Sequence, residues 1–363
     1  MIKIGFPGRL RQIIFVGFLA CIINPSYANL IVSGNEIEAW VDQYVVPSYA
    51  ALHQSNLQLQ THTRDLCNSL SWKYLDDLQP HLSQALTALA YSQAIDGGPM
   101  QDQLRNFQLY FWPDRNNLVS KQLGQLMLQA DLLVLQTQGL EQVSVALAGY
   151  PVLERLLFMP SYRKMVVEDQ QKFACSYIIA VSDNLVRLTG AINKAWKINW
   201  RSQLLSLNNT NSRFKKPADQ VSFIFSNIDL LLTKIITKKL AKPVMSSAKK
   251  AKPKRLESWR SGNSLVMLKA NTQALSDSLK LTLKPVLIRA GERPVWQQIS
   301  HDLSLIKLQL DKLPLPLVVH LSEPHYWQLT KQLQDQFSQL QVSLRRIYPR
   351  LDVRLGFNAY DGD

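Results

Sequence analysis

Apolar residues recur at steps of three and four through most of this chain, and no other feature narrows its fold as much. Ile178, Val181, Leu185, Leu188, Ile192 and Trp196 form one series, and Ile299, Leu303, Ile306, Leu310 and Leu313 form a second. A third runs through Tyr326, Leu329, Leu333, Phe337, Leu340, Leu344 and Ile347. Such spacing places each series on one stripe of an α-helix. The third series opens on Ser322-Glu323-Pro324, a capping hydroxyl followed by a proline suited to a first turn, and closes at Pro349. An early helix is expected from about Asn35 through the sixties, with Ile37, Val41 and Tyr44 on one side and a bend at Pro47. Strand-type alternation is hard to find, and glycine is scarce, 14 in 363 residues. The expected fold class is all-α, built of long amphipathic helices packed as antiparallel bundles.

The polar stretch Asn208-Asn209-Thr210-Asn211-Ser212 and the Arg213–Pro217 segment after it read as a linker. This predicts two helical-bundle domains, residues 29–207 and 218–363, joined through 208–217. Their similar size suggests an internal duplication. A faint echo supports it: Trp112-Pro113-Asp114-Arg115-Asn116-Asn117-Leu118 against Trp259-Arg260-Ser261-Gly262-Asn263-Ser264-Leu265.

Residues 1–28 read as an export signal. Lys3, Arg9 and Arg11 precede an apolar stretch from Ile13 to Ile23, and small residues at Ser26 and Ala28 suit cleavage after Ala28. Periplasmic location is therefore expected, with a lipoprotein anchored at Cys21 as the alternative. No later stretch is expected to span a membrane. The remaining cysteines, Cys67 and Cys175, are candidates for a disulfide in an oxidising compartment, or else two buried thiols.

Of the formal charge of +14, the signal segment contributes +3 and the acid-free run from Lys234 to Arg255 contributes +9, leaving +2 for the rest. The basicity is local. Residues 234–256 are expected to form an exposed, mobile basic loop, and Lys249, Lys250, Lys252 and Lys254 could contact anionic lipid. No aromatic residues interleave the run as base-stacking platforms would, so no nucleic-acid partner is expected.

Four segments could carry chemistry. Phe111-Trp112-Pro113-Asp114-Arg115-Asn116 is a turn-type run in which Asp114 can cap the next helix and Arg115 can reach a polar pocket beside Trp112. In Gly149-Tyr150-Pro151-Val152-Leu153-Glu154, counting along a helix puts Glu154 on the stripe of Val143, Leu147, Tyr150 and Leu157, with Pro151 interrupting that helix. A carboxylate buried there needs a partner from another helix, a bound cation or its own proton. Ser258-Trp259-Arg260-Ser261-Gly262-Asn263-Ser264 suits a helix N-terminus whose free N–H groups can hold an anion. The ending Leu355-Gly356-Phe357-Asn358-Ala359-Tyr360-Asp361-Gly362-Asp363 carries an apolar anchor and two acids.

Together, in this order, these four segments resemble the imelysin family, bacterial exported proteins named as peptidases and linked to iron acquisition. The resemblance spans nearly the whole mature chain. It implies two helical bundles with a site in the cleft between them. Carried over by position, Gly149 and Glu154 match the family's Gly-x-His-x-x-Glu signature, and Pro151 stands where that signature has His. A His and a Glu three residues apart can offer two metal ligands on one helix face, whereas Glu alone cannot. His53, His62, His320 and His325 are far off in sequence, and the H-E-x-x-H and G-x-S-x-G patterns are absent. The expectation is thus a binding protein associated with uptake of iron or haem, the possible cofactors, with an iron-uptake or outer-membrane component as partner. A metal-dependent peptidase and an envelope interaction module are the alternatives. Trp112, Arg115, Gly149, Glu154, Arg260, Ser261, Asp361 and Asp363 are expected around the cleft.

Overall fold

The computed structural model describes residues 29–130, 140, 143–168, 172–207 and 212–356. Among these residues it is all-α, with no strand. Ten helices carry the architecture. They are α1 (Gly34–Trp40), α2 (Val46–Ser69), α3 (Trp72–Ser92), α4 (Leu118–Gln129) and α5 (Tyr150–Phe158), then α6 (Lys172–Ala195), α7 (Pro217–Lys234), α8 (Ser264–Thr282), α9 (Arg293–Asp311) and α10 (Pro324–Ile347).

The amphipathic series fall where the spacing puts them. Leu333, Phe337, Leu340, Leu344 and Ile347 form the buried face of α10, with Pro324 in its first turn. Ile299, Leu303, Ile306 and Leu310 do the same for α9. Ile178, Val181, Leu185, Leu188 and Ile192 line the inner face of α6. In the first half of the chain α2 packs along both α3 and α6; in the second, α9 packs along α10, and α8 joins them. The α2–α3 hairpin turns through Leu70, in the left-handed region, and Ser71, whose side chain accepts from the Tyr74 N–H at 3.5 Å. Cys67 and Cys175 tie α2 to α6, with Cα atoms 5.5 Å apart and sulfurs at bonding distance.

The halves meet where α3 lies against α8. Polar pins cross this seam. Trp40 Nε1 donates to Ser278 Oγ at 2.7 Å, Tyr91 Oη to Asp277 Oδ2 at 3.0 Å, and Ser83 Oγ to Asn263 Oδ1 at 2.6 Å. One continuous buried apolar core runs through both halves.

Three π-helical turns interrupt otherwise continuous helices: Val41–Val45, Trp196–Trp200 and Ile235–Leu240. The first lies just ahead of Pro47, where a bend is expected. Proline lacks the N–H that would continue the ladder, and the wider π turn ends just before α2 restarts with Pro47 in its first turn. The third sits inside the run 234–256, where Lys242, Lys249, Lys250, Lys252, Lys254 and Arg255 are exposed, as expected, but the start of the run is helical rather than loop. The chain continues from α7 through the π turn into a short helix at Ala241–Val244, then into 3-10 turns at Ala248–Lys250 and Pro253–Arg255. Composition misled because Lys239, in the middle of the run, is fully buried. It forms an ion pair with Glu257 at 2.6 Å and donates to Gln93 Oε1 at 3.0 Å and Asn271 Oδ1 at 2.6 Å. A charge this deep is tolerable only with such a full set of acceptors.

The helical stretch Pro217–Val244 is also long and apolar enough to cross a membrane, contrary to the sequence expectation, but two thirds of its most apolar window (67%) is buried against the rest of the fold. The second part of the expected linker is packed rather than free. Ser212 and Phe214 are buried, and the Phe214 ring lies edge-on to Trp200 and Phe223. Aromatic burial here outweighs the polar local composition. Asn208–Asn211 lie outside the described residues, as do the export segment 1–28 with Cys21 and Ala28, and Asp361 and Asp363.

Candidate functional site

The start of α5 is fixed before any functional group is placed on it. A 3-10 turn at Val145–Leu147 leads into Gly149, the N-cap residue. Tyr177 Oη donates to the Leu147 carbonyl at 2.6 Å, and Asn184 Nδ2 to the Ala148 carbonyl at 2.9 Å. Gly149 itself has ordinary extended φ, so backbone strain does not call for glycine. Close approach does: a Cβ there would lie 2.2 Å from the Leu109 carbonyl oxygen and 2.3 Å from that of Gln108. Pro151 sits in the first turn, where its missing N–H costs nothing. It therefore opens the helix rather than interrupting one, and the stripe drawn through Val143 and Leu147 belongs to a separate turn.

From Tyr150 to Leu157 every residue of α5 is buried, including two ionisable ones. Glu154 points to the second half of the chain. Its Oε1 accepts from the Ser261 backbone N–H and from Ser261 Oγ, both at 2.9 Å. The anion expected at the Ser258–Ser264 turn is thus the protein's own carboxylate. Burial raises the affinity of the Glu154 carboxyl for its proton, although the Ser261 bonds and the nearby Arg260 and Arg155 charges pull the other way. Gly262 adopts φ +74°, and a Cβ there would meet Pro316 at 2.9 Å, so glycine is required for this turn.

Arg155, the next residue, finds its partners in the first half of the chain. Its Nη2 pairs with Asp114 Oδ2 at 2.6 Å, Nε donates to Ser120 Oγ at 2.8 Å, and Nη1 to the Pro151 carbonyl at 2.7 Å. Burial, with the Arg260 charge beside it, lowers its pKa to about 10. Asp114 Oδ1 in turn accepts from the Val119 N–H at 3.3 Å, at the start of α4, so it both caps a helix and anchors Arg155. Tyr110 Oη and Ser258 Oγ, 2.8 Å apart, join the walls contributed by the two halves.

Between these walls lies a cavity of about 690 Å³. One side is formed by the Tyr110–Asn117 segment with Pro151, Glu154 and Arg155; the other is formed by Arg255–Arg260 with Lys238, Lys242 and Lys254. The two tryptophans of the sequence echo, Trp112 and Trp259, both line it. The Arg260 guanidinium lies 4.4 Å from the Trp259 ring centroid and the Lys254 ammonium 5.6 Å from it, both close enough for cation–π attraction.

Of the expected site residues, Trp112, Glu154 and Arg260 line this cavity. Gly149 and Ser261 stand behind it, one setting the start of α5 and the other holding Glu154. The Arg115 backbone begins a 3-10 turn in the same loop, and its side chain lies outside the described residues. No histidine lines the cavity. His53 contacts Thr189, His62 stacks on His81, and His320 pairs with Glu323. Among the described residues there is no cluster of three or more His, Cys, Asp or Glu that could hold a metal ion. Lys249, Lys250 and Lys252 are exposed outside the cavity, whereas Lys254 lines it. Sequence reasoning missed Arg155, Lys238, Lys242 and Arg255. For Arg155 and Arg255 the only signal was adjacency to Glu154 and to the Ser258–Ser264 turn, and for Lys238 and Lys242 it was membership of the basic run.

A two-halved, all-helical protein with a polar cleft on its seam is the class these observations define. The imelysin (peptidase M75) family model matches residues 45–344, and the chain belongs to that family. Its fold is similar to that of an imelysin-like protein from Psychrobacter arcticum 273-4, with TM-score 0.75 and 19% identity, covering 91% of this chain and 100% of that one. It is also similar to a protein from Parabacteroides distasonis ATCC 8503, provisionally named an iron-regulated protein A precursor. That match has TM-score 0.66 and 13% identity, covering 88% of this chain and 94% of the other. No curated protein matches the chain.

Proposed function

We propose that this protein is an exported, non-catalytic binding component associated with iron or haem uptake, and that its ligand sits in the cleft between the two halves. Family membership and the iron-regulated neighbour support the association with iron. One observation carries the rest of the reading. Glu154, the acid of the family signature, is held by two hydrogen bonds from Ser261 at the edge of a ligand-sized cavity, while Pro151 occupies the position that would supply an adjacent metal ligand. The cleft lacks the pair of side chains that would fix and activate a metal-bound water on this helix. Mass spectrometry of the protein recovered from the periplasm tests export, the expected new N-terminus being Asn29. Calorimetry of the mature protein with haem, with a ferrous salt and with a ferric chelate tests binding. Absence of binding to all three at micromolar concentration refutes the reading, as does chelator-sensitive cleavage of denatured protein that is lost in Glu154→Ala.

A further inference from the structure

The cleft is strongly asymmetric in charge. Six basic side chains line it, Arg155, Lys238, Lys242, Lys254, Arg255 and Arg260, against two acids, Asp114 and Glu154. Both acids are already engaged, Asp114 by Arg155 and Glu154 by Ser261. Among the described residues, Lys238, Lys242, Lys254 and Arg255 have no carboxylate partner. Arg260 is half-buried over Trp259, and its Nε is buried without a hydrogen-bond acceptor. A buried guanidinium N–H left without an acceptor is costly unless a ligand supplies one. Five cations around a half-open cleft, with the local acids spent, repel a bare metal cation and focus the field on an anion.

We propose that the cleft binds a small, multiply charged oxyanion, presenting carboxylate or phosphate oxygens to Lys238, Lys242, Lys254, Arg255 and Arg260. This rests on the reading of the cleft as the ligand site, and it specifies how iron would arrive there: inside an anionic chelate, recognised through the chelate's oxygens. Arg260, half-buried over Trp259, supplies a donor fork, and the exposed Lys242, Lys254 and Arg255 supply charge at the rim. Trp112 and Trp259 give the flat walls.

The test uses the full mature protein and follows its tryptophan fluorescence and calorimetric heat with four probes: citrate, ferric citrate, inorganic pyrophosphate, and a ferrous salt without chelator. Citrate, pyrophosphate or ferric citrate should bind, more weakly as salt rises from about 50 to about 300 mM. Lys254→Gln/Arg255→Gln, which removes two exposed charges and the Lys254 contact with Trp259, should weaken binding about tenfold. Lys249→Gln/Lys250→Gln removes the same charge from the same lysine run outside the cleft and should leave affinity within about twofold. Equal affinity for citrate and ferric citrate leaves the oxyanion site standing and refutes the link to iron. Binding of the ferrous ion alone, unaffected by the cleft variant, refutes the oxyanion site and leaves the iron reading standing. No anion binding at all, or equal losses in the two double variants, also overturns the proposal, the latter because it reports only diffuse charge.

Discussion

Substituting Gly149 by alanine isolates the role of glycine in the family signature from any role in chemistry. The added methyl would sit 2.2 Å from the Leu109 carbonyl oxygen and 2.3 Å from that of Gln108, where ordinary contact begins at 3.4 Å. About 1.2 Å (3.4 minus 2.2) must therefore be opened between α5 and this strand of chain. Both obstructing atoms are backbone, so no side chain can rotate away, and the cost belongs at the upper end of the overpacking range, about 3 kcal/mol. For a chain of this size that is a fall in Tm of about 4 °C. The displaced segment leads directly into Tyr110 and Trp112, so the cleft opens as well. Gly124 is the matched control. It lies inside α4, its nearest atom to an added Cβ is Tyr162 Oη at 4.0 Å, and alanine there should stabilise by about 0.5–1 kcal/mol. Thermal melts of both variants by circular dichroism, paired with ligand titration, decide the matter. Equal melting temperatures for Gly149→Ala and the parent would refute the close-approach argument.

Glu154→Gln should keep the Ser261 bonds while removing a buried charge. Because burial raises the Glu154 pKa in the folded state, its stabilising contribution is complete below the unfolded-state pKa and declines as pH climbs through the folded value. The variant should therefore gain stability relative to the parent between about pH 4 and pH 7, read from urea midpoints at both; a gap that is constant or reversed contradicts the assignment. Lys239→Met alone should cost about 3–5 kcal/mol by stranding Glu257, and the double variant with Glu257→Leu should recover most of that loss in chemical denaturation. Reduction of the Cys67–Cys175 bond, which spans 108 residues, should cost about 4–5 kcal/mol, seen as a lower melting temperature with reductant.

Helix positions were legible because their signal is periodic and local: α6, α9 and α10 bury most of the residues that the spacing selects, Tyr326 and Leu329 being only half-buried. Glu154 was legible as an anomaly for a related reason, a charge in an apolar run. Its partner was not, since Ser261 is 107 residues away and acts through a backbone N–H as well as its hydroxyl. Arg155 looked like an ordinary flanking charge, because its pairing with Asp114 across 41 residues depends on how α4 and α5 meet. Lys239 was hidden most completely. In a run of nine cations nothing local distinguishes the one that faces inward, and its acceptors lie just past the end of α3, on α8 and at Glu257. The Trp112 and Trp259 segments were noticed as an echo, but only the packed halves place them across one cavity.

The π turn at Ile235–Leu240 has a bearing on which length changes this protein can tolerate. A π turn holds one residue more than the α-helix around it, so it absorbs that residue while the helix beyond it keeps its bearing. Deleting a single exposed residue there, such as Thr237, would restore a regular helix and leave Lys242 on the cleft wall. The same deletion in a helix without such a turn, such as α10, has no slack to absorb it and would rotate everything after it by about 100°. A change of one residue in length is therefore tolerated at this turn and not in the regular helices.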